Sequence, residues 1–209
     1  MRLAQSVQNK IRAFLQAYGT PKVKGRLWDA EFSGGRWDNL DTTPDDCVYR
    51  YVEKSANGGS ILDLGCGSGS TANELDTNTY RDYTGVDISD AAISKARSRT
   101  EQNERAVKNR FFRSDVASYV PTQRFDVILF RDSIYYIPRA NIKATLDRYS
   151  KYLKPCGVFI VRMWDGGGKH KAIADMIESN FNIVDKFFSE HPNAVVLVFQ
   201  HRTISSRIE

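Results

Sequence analysis

Asp63 stands two residues ahead of a loop in which every second residue is glycine: Asp63-Leu64-Gly65-Cys66-Gly67-Ser68-Gly69. Ile61–Leu64 before it reads as a short buried strand, and a helix start follows at Ser70-Thr71. Residues without Cβ admit φ > 0 and let a ligand come close to the backbone. The loop therefore suits a nucleoside-type ligand at the carboxyl end of a parallel strand. The dinucleotide fingerprint G-x-G-x-x-G places its third glycine where this chain has Ser70. The leading carboxylate would repel a pyrophosphate and would suit a cation. Taken alone, the loop also reads as a plain tight turn.

The elements that must hold this loop alternate between strand and helix. Strands are expected at Ile61–Leu64, Tyr83–Ile88, Arg110–Arg113, Phe125–Phe130 and Val158–Met163. Between them helices are expected near Thr71–Leu75, Asp90–Glu101 and Ala140–Leu153, with a short turn around Ser118. Ser89-Asp90 reads as an N-cap, and Lys154-Pro155-Cys156-Gly157 as a helix stop. Such alternation implies a parallel sheet covered on both faces. The end differs: a helix at Lys171–Glu178 precedes Phe181–Phe188 and Ala194–Gln200, joined through His191-Pro192-Asn193 as an antiparallel hairpin.

Four motifs in order, Asp63 to Gly69, Val86-Asp87-Ile88-Ser89, Arg113-Ser114-Asp115-Val116 and Phe125 to Phe130, resemble those of the class I S-adenosylmethionine-dependent methyltransferases. The resemblance covers about residues 44 to 201. It implies a three-layer, Rossmann-like α/β fold whose seven-stranded sheet is mostly parallel and ends in an antiparallel hairpin. It also implies a cofactor, S-adenosyl-L-methionine, bound by Asp63, Gly65, Cys66, Gly67 and Gly69. Asp87, with Ile88, would take the ribose hydroxyls. Asp115 and the Val116 backbone would take the adenine, and Phe130 or Arg131 would lend backbone to the methionine part. Methyl transfer from a sulfonium is a direct displacement, so the protein has mainly to align the groups and exclude water.

Many relatives carry a histidine near the end of the fourth strand. Here Arg131-Asp132-Ser133-Ile134-Tyr135-Tyr136 stands instead. Asp132, Tyr135 and Tyr136 become candidates for the acceptor site, the tyrosine faces suiting a positive methyl–sulfonium; core packing is the alternative for either tyrosine. His170, after Asp165-Gly166-Gly167-Gly168-Lys169, is a candidate base, whereas His191 and His201 lie away from the expected site. Tyr18, Trp28, Trp37 and Trp164 are candidates for contact with the acceptor.

Residues 1–43 are expected to form a helical and aromatic cap on a cofactor-binding domain at 44–209. Leu3, Val7, Ile11, Phe14, Leu15 and Tyr18 recur at helical spacing. A loop-rich stretch is expected from Gly19 to about residue 43. Its aromatics either close over a ligand or dock the first helix. Residues 1–28 carry six bases and no acid, leaving 24 of the 30 bases against 25 acids in the rest. That first helix reads as a cap, as a binder of an anionic substrate or surface, or as a terminal segment of targeting type. Three bases on one helix are weak evidence for nucleic acid, which usually demands a broader basic face, and a nucleic-acid partner is not expected. The Trp28 to Asp38 segment is similar to one in stand-alone bacterial methyltransferases linked to surface glycans or natural products, which points to a small-molecule or sugar acceptor. Three scattered cysteines argue against a zinc site or a disulfide framework, and no metal is expected. With no apolar run of spanning length and no secretory pattern, a cytoplasmic location is expected. The rival readings are an NAD(P)-dependent oxidoreductase using Asp87 and a non-catalytic cofactor-binding domain.

Overall fold

A computed structural model describes residues 2–190 and 193–202. Seven strands form one sheet: β1 (Gly59–Leu64), β2 (Tyr80–Asp87), β3 (Asn109–Arg113), β4 (Phe125–Arg131), β5 (Leu153–Trp164), β6 (Asn182–Glu190) and β7 (Asn193–Gln200). Their spatial order is β3-β2-β1-β4-β5-β7-β6. Pairings from β3 to β5 are parallel, and β7 is antiparallel to both β5 and β6. The order reverses between β1 and β4, which opens a crevice outside their carboxyl ends.

Alternation along β1 shows why the sheet needs cover on both faces. Ile61 joins one apolar cluster with Val127 and Val196, while Leu62 and Leu64 join the opposite one with Ile128 and Phe159. The first cluster is closed by α3 (Val48–Ala56), α4 (Ser70–Glu74) and α5 (Asp90–Gln102), the second by α6 (Arg139–Ser150) and α7 (Lys171–Asn180). Period-two burial of this kind is the mark of a sheet sandwiched between helices.

Ahead of the sheet lie α1 (Arg2–Tyr18) and α2 (Pro21–Ser33). The loop-rich stretch expected after Gly19 is therefore corrected. Thr20 caps α2 through its hydroxyl, Pro21 sits in the first turn and Gly34 closes the end. Gly25 in mid-helix conceals this pattern in the sequence. It is buried because α2 crosses the sheet edge there: a Cβ on Gly25 would lie 3.5 Å from the Ile88 carbonyl. α3 begins at Val48, where Asp46 accepts from the Val48 amide at 3.1 Å. Other bounds move: β2 already begins at Tyr80 and ends at Asp87, and β5 already includes Pro155 to Gly157 through a register shift against β4. The expected turn at His191 lies outside the described residues.

Candidate active site

Above the crevice lies one cavity of about 1240 Å³, running from the glycine loop to the ends of β4 and β5 and roofed by α2. Of the sequence-derived candidates, it is lined by Asp63, Gly65, Cys66, Gly67, Asp87, Ile88, Asp115, Val116 and Arg131 at one end. Tyr18, Trp28, Trp37, Asp132, Tyr135, Tyr136, Trp164 and His170 line the remainder. Gly69 and Phe130 do not line it. Phe130 is fully buried, edge-on to Tyr149.

The three glycines divide the loop's work. Gly65 (φ +85°) and Gly67 (φ +53°) face the cavity, and a Cβ on Gly65 would run into the Ser133 side chain. Gly69 (φ +76°) instead allows packing: a Cβ there would sit 2.9 Å from that of Ala96 on α5. The Gly65 and Cys66 amides both donate to the Val86 carbonyl, at 2.8 and 3.0 Å, which pins the loop to β2.

Asp63 is buried at the loop base. The Tyr83 hydroxyl donates to its Oδ2, while Oδ1, equally buried and close to the Thr71 side chain, makes no hydrogen bond of ordinary geometry among the described residues. Burial pushes its carboxyl up to about 7 against the opposing pull of Tyr83 and Arg131. An under-bonded acceptor at a cavity wall is what a cationic ligand group would satisfy. Asp87 accepts from the Gly67 amide at 3.0 Å and from the Ser89 amide at 2.9 Å, one on each oxygen. Burial raises its carboxyl, opposed by these backbone donors. Each oxygen keeps capacity for a further donor such as a ligand hydroxyl. Asp115 accepts from the Ala117 amide at 2.8 Å and faces Lys24 of α2 at 3.8 Å. Cys66 is buried and its thiol is pushed well above the ordinary range by burial and by Asp87 and Asp63, so it is no nucleophile.

At the other end, His170 stacks on Tyr135, with ring centroids 4.3 Å apart and planes 9° from parallel. Trp28 meets Tyr136 edge to face at 4.7 Å and lies 6.2 Å from Trp37. Burial lowers the His170 imidazole, and Lys169 adds to it, so at neutral pH the ring is uncharged and can accept a proton. Tyr136 is pushed up to about 12 by burial with help from Glu31 and Asp132, and Tyr135 is raised by burial and Asp132. Both phenols are therefore neutral at physiological pH. Asp132 is already engaged: Oδ1 accepts from the Trp164 amide at 2.7 Å, and Oδ2 meets Arg162.

Arg162 was not among the sequence-derived candidates. A lone arginine in the apolar run Val158 to Met163 was the available signal. It lies 3.5 Å from Asp46, which also binds Arg131 at 2.7 Å, so two arginines and two aspartates interlock in the cavity wall. Burial alone would raise Asp46, but Arg131 and Arg162 outweigh it and hold the carboxyl below the ordinary range. Glu31, also unforeseen, is buried in α2 and accepts from Trp37 Nε1 at 3.0 Å and Gln16 Nε2 at 3.2 Å, joining α1, α2 and the aromatic segment. No spacing rule marks such a glutamate. Asp29 takes the Ser89 hydroxyl at 2.7 Å and so ties α2 to the start of α5.

A family model described as a methyltransferase domain matches residues 36–192. Among curated proteins the chain is 26% identical over 151 residues to an eEF1A lysine and N-terminal methyltransferase homolog of Drosophila pseudoobscura pseudoobscura, covering 70% of this chain and 20% of that protein. It is 26% identical over 120 residues to 27-O-demethylrifamycin SV methyltransferase of Amycolatopsis mediterranei, covering 54% of this chain and 44% of that one. The chain thus spans less than half the length of either relative. The crystal structure of N-methyltransferase NodS from Bradyrhizobium japonicum, with S-adenosyl-L-homocysteine, is similar at a TM-score of 0.68 and 15% identity, over 86% of this chain and 98% of that one, and shares the fold.

Proposed function

This chain belongs to the methyltransferase-domain family, and we propose that it is an S-adenosylmethionine-dependent enzyme whose cavity serves methyl transfer to an oxygen or nitrogen of a small molecule, a sugar or natural-product intermediate being the favoured class. The observation that carries this reading is the division of one cavity into a carboxylate end, with Asp63, Asp87 and Asp115, and an aromatic end, with Trp28, Trp37, Tyr135, Tyr136 and Trp164.

Asp63 would hold the cationic amino-acid part of the cofactor through its under-bonded oxygen, and Asp87 the ribose hydroxyls. Asp115 and Val116 would take the adenine. The cofactor brings the methyl group and its leaving group together. The chain's own residues have to orient the acceptor, shed water and, for a protonated nucleophile, accept one proton. His170 is the group suited to that last task, because its neutral ring borders the aromatic end. Asp132, held by Arg162 and a backbone amide, would act by fixing the loop that carries Tyr135 and Tyr136. Residues 1–43 would serve as the cap over the cavity.

The test is release of S-adenosylhomocysteine on addition of candidate amines, sugars and phenols, with Trp28→Ala beside the parent. Loss of kcat/KM for the acceptor with unchanged affinity for S-adenosylhomocysteine supports the division. Equal loss of both refutes it.

A further inference from the structure

α1 is docked by the face that a surface helix usually turns outward. Gln16 is buried against Glu31, and Arg12, half buried, lies 3.4 Å from the same carboxylate. On the opposite side Val7, Ile11, Phe14 and Tyr18 follow one another at helical spacing of four, three and four residues, each between 53% and 61% exposed. Phe14 and Tyr18 stack on each other in the open at 5.0 Å. A helix packed only for the sake of its own fold would bury this stripe.

Charge decides what covers it. The six bases and no acids of residues 1–28 account for the whole positive excess of the chain. Lys10 on α1 and Lys22 and Arg26 on α2 are exposed, and no ion pair holds them among the described residues. The first acids in the sequence, Asp29 and Glu31, are turned inward to Ser89 and to Gln16 and Trp37. Two copies joined through this face would set one basic segment against another, which disfavours self-association. An exposed apolar stripe, with exposed cations on the same helix and on the next, is the form that lies in the interface of an anionic bilayer.

We propose that the Val7, Ile11, Phe14 and Tyr18 face of α1 docks the protein on an anionic lipid surface. Tyr18 lines the cavity as well, so the docked face runs directly into the cavity mouth. The interaction is peripheral, since no helix of the described residues is long and apolar enough to cross a membrane.

The test is co-sedimentation of the full chain with phosphatidylcholine vesicles, with and without phosphatidylglycerol, at low and high salt. Binding to the anionic vesicles alone, weakened by salt, is expected. The triple variant Val7→Ser, Ile11→Ser, Phe14→Ser should lower partitioning on the order of tenfold while keeping affinity for S-adenosylhomocysteine. If that variant does not fold, Lys10→Glu with Lys22→Glu and Arg26→Glu gives the reading, and it too should lose binding. Absence of parent binding at low salt overturns the proposal, as does equal binding by the variants. A parent that is dimeric by light scattering, with a monomeric Phe14→Ser variant, overturns it in favour of a second copy.

Discussion

His170 lies flat against Tyr135, 4.3 Å between ring centroids, in the wall of the cavity that Asp63 also lines. Stacking fixes the imidazole plane without using either ring nitrogen. The ring is shifted toward its neutral form by burial and Lys169. A base role predicts a kcat profile that falls on the acid side below about pH 6.5. His170→Gln should lower kcat on the order of a hundredfold and remove that limb. Identical activity of the variant from about pH 6 to pH 9 excludes His170 from proton transfer.

Asp63 makes the cofactor end sensitive to pH. Its carboxyl lies at about 7, so below that value it is half or more protonated and pairs poorly with a cation. Affinity for S-adenosylhomocysteine should rise with pH through about 7 and level off above it. Asp63→Asn should bind more weakly and without this dependence, as calorimetry at several pH values would read. For stability the sign is opposite. The folded carboxyl is raised above its unfolded value, so the ligand-free fold is favoured while Asp63 is protonated and loses that advantage as pH climbs toward 7. Asp63→Asn should therefore raise the Tm of the unliganded protein at neutral pH.

Gly69 separates packing from binding. Gly69→Ala puts a Cβ against Ala96 at a positive φ, and should cost on the order of 1–3 kcal/mol in denaturant unfolding. Gly67→Ala meets only the Phe32 ring, at 3.4 Å, but on the cavity side at φ +53°. Its larger effect should be on cofactor affinity. A reversed ranking of the two variants would contradict this division.

Arg162 binds Asp132 and Asp46 while itself buried. Arg162→Met leaves two acids facing Arg131 alone, and should destabilise the fold by about 3–5 kcal/mol in denaturant titration. The pH dependence follows from Asp46, whose carboxyl is held below the ordinary range. Its stabilising contribution is present above the unfolded carboxylate value and is lost as pH falls toward the depressed one. The parent should lose stability in that acid range more steeply than Asp46→Asn. A variant as stable as the parent at neutral pH would show the cluster to be dispensable.

The sheet was legible because most of its strands are apolar runs punctuated by glycine and proline, and Asp63, Asp87 and Asp115 are legible because each stands at or within two residues of the carboxyl end of a strand. All three line the cavity. α2 was not, because Gly25 breaks its helical pattern for a reason only the neighbouring Ile88 explains. Nor was the Glu31 hub, whose partners lie on two other segments. The Asp46, Arg131, Arg162 and Asp132 cluster brings together residues from four elements or loops, and sequence spacing carries no trace of such a meeting. The acceptor end is similarly an assembly of separate aromatics rather than a motif.

α2 crosses directly over Ile88 and sets Lys24 against Asp115, so it covers the cavity wall that holds Asp87 and Asp115, and the exposed Tyr18 ring lies on the same wall-to-solvent boundary. Traffic through the protein then has a sequence. If the proposed function holds, the cofactor would enter before the acceptor and its spent form would leave last, past a helix anchored by Asp29 and Glu31. Turnover would be paced by that exit and would slow in viscous solvent, and Lys24→Ala, which frees the lid at one point, would speed it.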